Sequence, residues 1–125
     1  MKLVIVDDDM GELLGEMIET HVGPLELQIF TNGDEAWADL SQRDPDVLIT
    51  DIQHPGLGGW EILRLLAAQK VKYPIVVLTG YSDVNETICE ASHPELRGLN
   101  ITVMNKPFEW EKFNRVLTSI IRNIR

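Results

Sequence analysis

The chain has 125 residues, 44% of them hydrophobic, a formal net charge of −9 and one cysteine. That length suits a single domain spanning residues 1–125 with a core of its own. The acidic balance argues against direct nucleic-acid binding, which needs clustered Lys and Arg to neutralise phosphates. Cys89 alone excludes an internal disulfide framework, is expected to be a small packed side chain, and fits a reducing, cytoplasmic setting. No apolar run reaches the roughly 18 residues of a membrane span, and Met1-Lys2-Leu3-Val4 passes directly into a strand without a leader pattern.

Leu3-Val4-Ile5-Val6 reads as a first buried strand, followed at its end by Asp7-Asp8-Asp9. A helix is expected from about Met10 to His21, with Leu13, Leu14, Met17 and Ile18 as its apolar stripe and Gly11 and Gly15 weakening it. Gly23-Pro24 ends it. Leu25-Glu26-Leu27-Gln28-Ile29 alternates with period two, the pattern of an edge strand with one wetter face. Thr31 or Asn32 then caps a short helix through Ala36, Trp37 and Leu40. Val47-Leu48-Ile49-Thr50 runs into Asp51 between Asp44-Pro45-Asp46 and Pro55-Gly56, as a strand buried on both faces does.

Gly58-Gly59 opens a third helix carrying Trp60, Leu63 and Ala67 on one stripe with Ile62 and Leu66 beside it. Ile75-Val76-Val77-Leu78 is a fourth buried strand ending at Thr79-Gly80. Ser82 caps a further helix with a thin apolar side, Val84, Ile88 and Ala91, closed by His93-Pro94. Ile101-Thr102-Val103-Met104 is the fifth strand and leads to Asn105-Lys106-Pro107. In the final helix Trp110, Phe113, Leu117, Ile120, Ile121 and Ile124 recur at three- and four-residue steps. The late basic residues Lys106, Lys112, Arg115, Arg122 and Arg125 suit a solvated face and the helix dipole. His21, His54 and His93 show no metal-ligand spacing.

Strand and helix alternate five times, which predicts an α/β fold with a parallel sheet and helices on both faces. Right-handed crossovers bring the ends of strands one, three, four and five to one rim. The polar residues there are Asp7 to Asp9, Asp51, Thr79 and Lys106. Carboxylates gathered on one rim repel, and a divalent cation resolves the repulsion. Magnesium takes oxygen ligands and keeps waters, so Asp8 and Asp51 would bind it directly, Asp7 through water, and the backbone carbonyl of Gln53 would complete the set. A carboxylate can act as a nucleophile and form an aspartyl phosphate. Phosphoryl transfer then asks mainly for charge neutralisation and positioning, which the cation, the Lys106 ammonium and the Thr79 hydroxyl would supply. Asp9 is expected only to cap the following helix.

Taken together, Val4-Ile5-Val6-Asp7-Asp8, Leu48-Ile49-Thr50-Asp51, Pro55-Gly56 with Gly59, Thr79-Gly80 and Lys106-Pro107-Phe108 make the chain resemble the receiver domain of two-component response regulators over essentially its whole length. The resemblance implies a flavodoxin-like (βα)5 doubly wound sandwich with strand order 2-1-3-4-5. It implies that Asp51 accepts a phosphoryl group from a phosphohistidine of a sensor histidine kinase or a histidine phosphotransfer protein, with Mg2+ or Mn2+ as cofactor, and that the product hydrolyses slowly by self-catalysis, so that the chain is not a conventional enzyme. Asp7 and Asp8 are thereby assigned to the metal, Thr79 to the switch, Lys106 to a phosphoryl oxygen, and Gln53 and Tyr81 to tuning hydrolysis. A downstream effector domain or protein and a phosphorylation-dependent dimer are the partners it implies. Val103 stands where family members often carry an aromatic residue, His54 and Gly58 where Met and Asp are more common, and the span from Leu78 to Ile101 is long for the family.

Three other readings compete. Asp7-x-Asp9 after a first strand also resembles the motif of haloacid-dehalogenase-type phosphatases, with Asp7 as nucleophile and Asp9 as general acid, but the chain is short and a late acidic pair is missing. A flavodoxin-type flavin carrier would need a Ser/Thr- and Gly-rich phosphate loop where three acids stand. A phosphate-independent interaction module would ignore magnesium and phosphate analogues alike.

Overall fold

Alternation of side chains along a strand is what gives this sheet two cores. In β1 (Lys2–Val6), Leu3 and Ile5 point to one face and Val4 and Val6 to the other, and all four are fully buried. The same parity holds in β3 (Val47–Asp51) and β4 (Ile75–Thr79): Val47, Ile49, Val76 and Leu78 share a cluster with Leu3 and Ile5, while Leu48, Ile75 and Val77 join Val4 and Val6. Strands that are apolar on both sides need cover on both sides, and helices supply it.

The computed structural model describes residues 1–7, 10–22, 25–52, 56–79, 96, 98–105 and 109–124, without the side chains of 21, 22, 79 and 105. Within these, β2 (Glu26–Phe30) and β5 (Ile101–Asn105) complete a five-stranded, wholly parallel sheet of order β2-β1-β3-β4-β5. Helices α1 (Gly11–Val22) and α4 (Trp110–Ile124) cover one face, through Leu14, Ile18, Phe113, Leu117 and Ile121. Helices α2 (Gly33–Leu40) and α3 (Gly59–Ala68) cover the other, through Ala36, Leu40, Ile62, Leu63 and Leu66. This is the doubly wound α/β arrangement and the strand order expected above. The helix expected after Ser82 lies outside the described residues, so the final helix of the chain is α4 here. No helix among the described residues is long and apolar enough to cross a membrane.

Two expected helix faces shift. Leu13 is not part of the α1 stripe: its side chain is 52% exposed. The buried positions are Gly11, Leu14, Gly15 and Ile18, the i, i+3, i+4, i+7 series of one face. The two glycines that weaken the helix by propensity let it lie close against β2, where an ideal Cβ on Gly11 would sit 2.8 Å from Ile29 and one on Gly15 2.8 Å from Leu27. On α3 the buried line runs through Ile62, Leu63 and Leu66, with Trp60 and Ala67 partly buried at its margin. Trp110 is likewise partly buried, its ring 5.3 Å from that of Phe113.

Of the two candidate caps for α2, Asn32 is the one used. Its extended backbone (φ −131°, ψ 132°) lets the side-chain oxygen accept from the N–H of Asp34 at 2.8 Å and of Glu35 at 3.4 Å. Gly56 packs on this cap with φ +79°, and a Cβ there would meet Asn32 Oδ1 at 2.6 Å. Replacing Asn32 by Ala is expected to cost about 1 kcal/mol, read as a lowered urea midpoint with an unchanged slope.

Tyr73 sits partly buried against the α2/α3 core, its phenolic oxygen out of water. Burial first, and the charge of Asp44 second, push its phenol above the ordinary value of 10.0. The folded state therefore favours the neutral phenol, while the unfolded chain releases the proton. Stability from this group is complete below pH 10 and declines above it. Urea midpoints measured from pH 8 upward in wild type and Tyr73→Phe should diverge only above pH 10.

Candidate functional site

The sheet register places the acids. Val6 in β1 pairs with Thr50 in β3, so Asp7 and Asp51 are each the next residue along neighbouring strands, which lie about 4.8 Å apart. Asp51 in turn pairs with Leu78 of β4, leaving Thr79 one step further along, and Thr79 pairs with Asn105 at the end of β5. Asp7, Asp51 and the backbone of Thr79 thus share the C-terminal rim of the sheet, where open α/β sheets present their functional groups. Strand β2 ends beside β1 at Phe30, whose carbonyl accepts from Asp7 N–H at 3.0 Å. Asp8, Gln53, Tyr81 and Lys106 lie outside the described residues, as does the Thr79 side chain.

The two described carboxylates differ in setting. Asp7 is 1% exposed, and its Oδ1 accepts the Met10 N–H at 3.0 Å just ahead of α1. The capping role expected of Asp9 falls on a residue outside the described ones. Asp51 is partly exposed, and its Oδ1 accepts the N–H of Ile52 at 2.7 Å. As hard oxygen donors on adjacent strand ends, this pair suits a hard divalent cation. By themselves they do not make a full ligand set: no cluster of three or more His, Cys, Asp or Glu forms among the described residues.

Thr50 and Gly59, both within the motifs quoted above, make contacts with Asp51 that the sequence did not assign. Thr50 is fully buried, and its Oγ1 donates to the Asp51 carbonyl at 2.9 Å. Gly59, the first residue of α3, lies so close that an ideal Cβ would stand 2.5 Å from Asp51 O and 2.7 Å from Ile52 Cα, while its N–H donates to Ile52 O at 2.9 Å. The available signal was a lone hydroxyl at the end of an aliphatic strand, and a second glycine where one would already have opened the helix. A separate cleft of about 510 Å³, lined by Pro45, Tyr73, Asn100 and Asn123 among others, lies where β3, β4 and β5 begin, at the opposite end of the sheet from the acids.

Comparison with known proteins agrees with this arrangement. Residues 3–116 match the family model described as the response regulator receiver domain. The cell cycle response regulator CtrA of Brucella ovis is 27% identical over 98% of this chain and 50% of its own length, so the chain spans about half the length of such curated relatives. The N-terminal domain of an uncharacterised protein from Wolinella succinogenes superposes with a TM-score of 0.78 at 30% identity, covering 98% of this chain and 94% of the other. A response regulator described as putative, from Chloroflexus aurantiacus, superposes with a TM-score of 0.74 at 27% identity, covering 97% of each chain. With a family model matched along nearly its full length and acids at the predicted strand ends, the chain belongs to the response regulator receiver domains of two-component systems.

Proposed function

We propose that the chain, as one receiver domain over residues 1–125, accepts a phosphoryl group on Asp51 from a phosphohistidine of a sensor histidine kinase or histidine phosphotransfer protein. An oxygen of the Asp51 carboxylate attacks phosphorus, the P–N bond to the imidazole breaks, and the acyl phosphate forms on Asp51. The observation that supports this best is the pairing of Val6 with Thr50, which sets the partly exposed Asp51 beside Asp7 at one rim. It also argues against a phosphatase reaction with Asp7 as nucleophile, because Asp7 is 1% exposed and already accepts from the Met10 N–H.

Asp7, Asp8, Asp51 and the Gln53 carbonyl would hold Mg2+ or Mn2+, which neutralises charge on the transferred group. Lys106 pairs with a phosphoryl oxygen and Thr79 donates its hydroxyl to another. Gln53 and Tyr81 tune hydrolysis, Tyr81 by shielding the phosphate from water. Added charge at the rim draws Thr79 inward and alters the surface offered to a downstream effector domain or protein, or to a second copy of the chain. Val103, partly buried against the α2/α3 core, has no ring to turn inward, so the switch rests on Thr79. The setting is the cytoplasm, and the domain itself makes no contact with nucleic acid or membrane.

The test is to label the chain with a phosphorylated histidine donor, or with acetyl phosphate, in the presence of Mg2+, reduce the acyl phosphate with borohydride and map the modified residue. Modification of Asp51, abolished by EDTA, supports the reading. Modification of Asp7, or none under any donor, defeats it.

A further inference from the structure

Asp7 and Thr50 are the two buried polar side chains among the described residues. The first belongs to the acidic rim, and the second has no part in the reaction as written. A hydroxyl withdrawn from water is retained only with a hydrogen-bond partner. Thr50 shares its strand parity with Leu48, so it faces the α2/α3 side, the side from which Gly59 approaches. There its Oγ1 donates to Asp51 O at 2.9 Å.

That oxygen and the N–H that holds the acceptor carboxylate belong to one peptide unit. Asp51 O is its acceptor end, and Ile52 N–H is its donor end, bonded to Asp51 Oδ1 at 2.7 Å. A peptide unit is planar and stiff, so fixing its carbonyl fixes the direction of its N–H. Gly59 closes the same plane from the side, with room for a hydrogen but not for a methyl group. The Thr50 hydroxyl at one end of the plane and the Asp51 carboxylate at the other are therefore mechanically connected.

We propose that Thr50 is a positioning residue for phosphoryl transfer, orienting the Asp51 carboxylate through the Asp51–Ile52 peptide. This rests on the reading of Asp51 as the acceptor. Thr50→Val keeps the shape and removes the donor, and Thr50→Ser keeps the donor and removes a methyl. With the full chain, Mg2+ and acetyl phosphate, the valine variant is expected to be phosphorylated about tenfold more slowly, and the serine variant within about twofold of wild type, because small displacements of a reacting group cost rate steeply.

A second readout is the Ile52 amide proton in a nitrogen–proton correlation spectrum. Its bond to a carboxylate holds it downfield in the wild type, and it should move upfield in Thr50→Val and return in Thr50→Ser. A wild-type rate with an unmoved Ile52 amide in Thr50→Val overturns the proposal, as does a serine variant no faster than the valine one. The two levels fail separately: if Asp51 is not the acceptor, the mapping shows it in the wild-type chain, whereas a Thr50 that positions nothing shows only in the variants.

Discussion

If Asp51 is the acceptor as proposed, Asp51→Asn should lose its phosphoryl label by more than about a thousandfold, down to background, because the proposed nucleophile is removed. An amide oxygen has neither the charge nor the basicity to attack phosphorus. The fold, by contrast, should be nearly indifferent. The asparagine Oδ1 can still accept the Ile52 N–H that Asp51 Oδ1 accepts now, and the side chain is partly in water, so the urea midpoint should reflect a change within about 0.5 kcal/mol. Under the proposed metal site, magnesium affinity, followed by tryptophan fluorescence or calorimetry, should fall with the loss of the Asp51 carboxylate. Full labelling of Asp51→Asn would refute the acceptor assignment.

Gly59→Ala carries the largest expected structural penalty. The new methyl would meet Asp51 O at 2.5 Å and Ile52 Cα at 2.7 Å. These are main-chain atoms at the end of a buried strand and cannot swing aside as a side-chain tip can. Helix α3 must tilt away or the Asp51–Ile52 peptide must move, at a cost of about 2–3 kcal/mol, which lowers the urea midpoint by about 1–2 M. The same displacement should slow phosphorylation under conditions where the variant is still folded. Gly58→Ala is the control: a Cβ there finds nothing nearer than Glu61 Oε1 at 3.8 Å. It should cost at most about 1 kcal/mol, through the poorer helix-capping of alanine. Equal stabilities for the two alanine variants would show that the close approach of α3 to β3 is unimportant.

Both expectations concern the end of β3, where reading from sequence and reading from structure part company. The buried strands were legible because four-residue aliphatic runs bounded by turn residues have few other homes. Their alternation with amphipathic helices determined the parallel doubly wound sheet. The acids were legible as well, since a polar residue directly after such a run must emerge at the carboxyl rim. Helix phase was less legible: Leu13 fits an apolar stripe on paper, yet the face that packs includes Gly11 and Gly15, because contact with Ile29 and Leu27 rewards small residues that propensity counts as faults.

Local pattern alone sets which residues are polar at the ends of apolar strands, and so the chemistry available at the rim. It takes the packed fold to put Val6 opposite Thr50, to bury Asp7 against Met10 N–H while Asp51 stays partly open, and to bring Thr50 and Gly59 onto the peptide behind Asp51. The reason is physical. Strand order in chain follows from local pattern, but register, burial of one acid over another, and the contact of a helix N-terminus with a strand it follows at a distance all depend on how layers of side chains interlock.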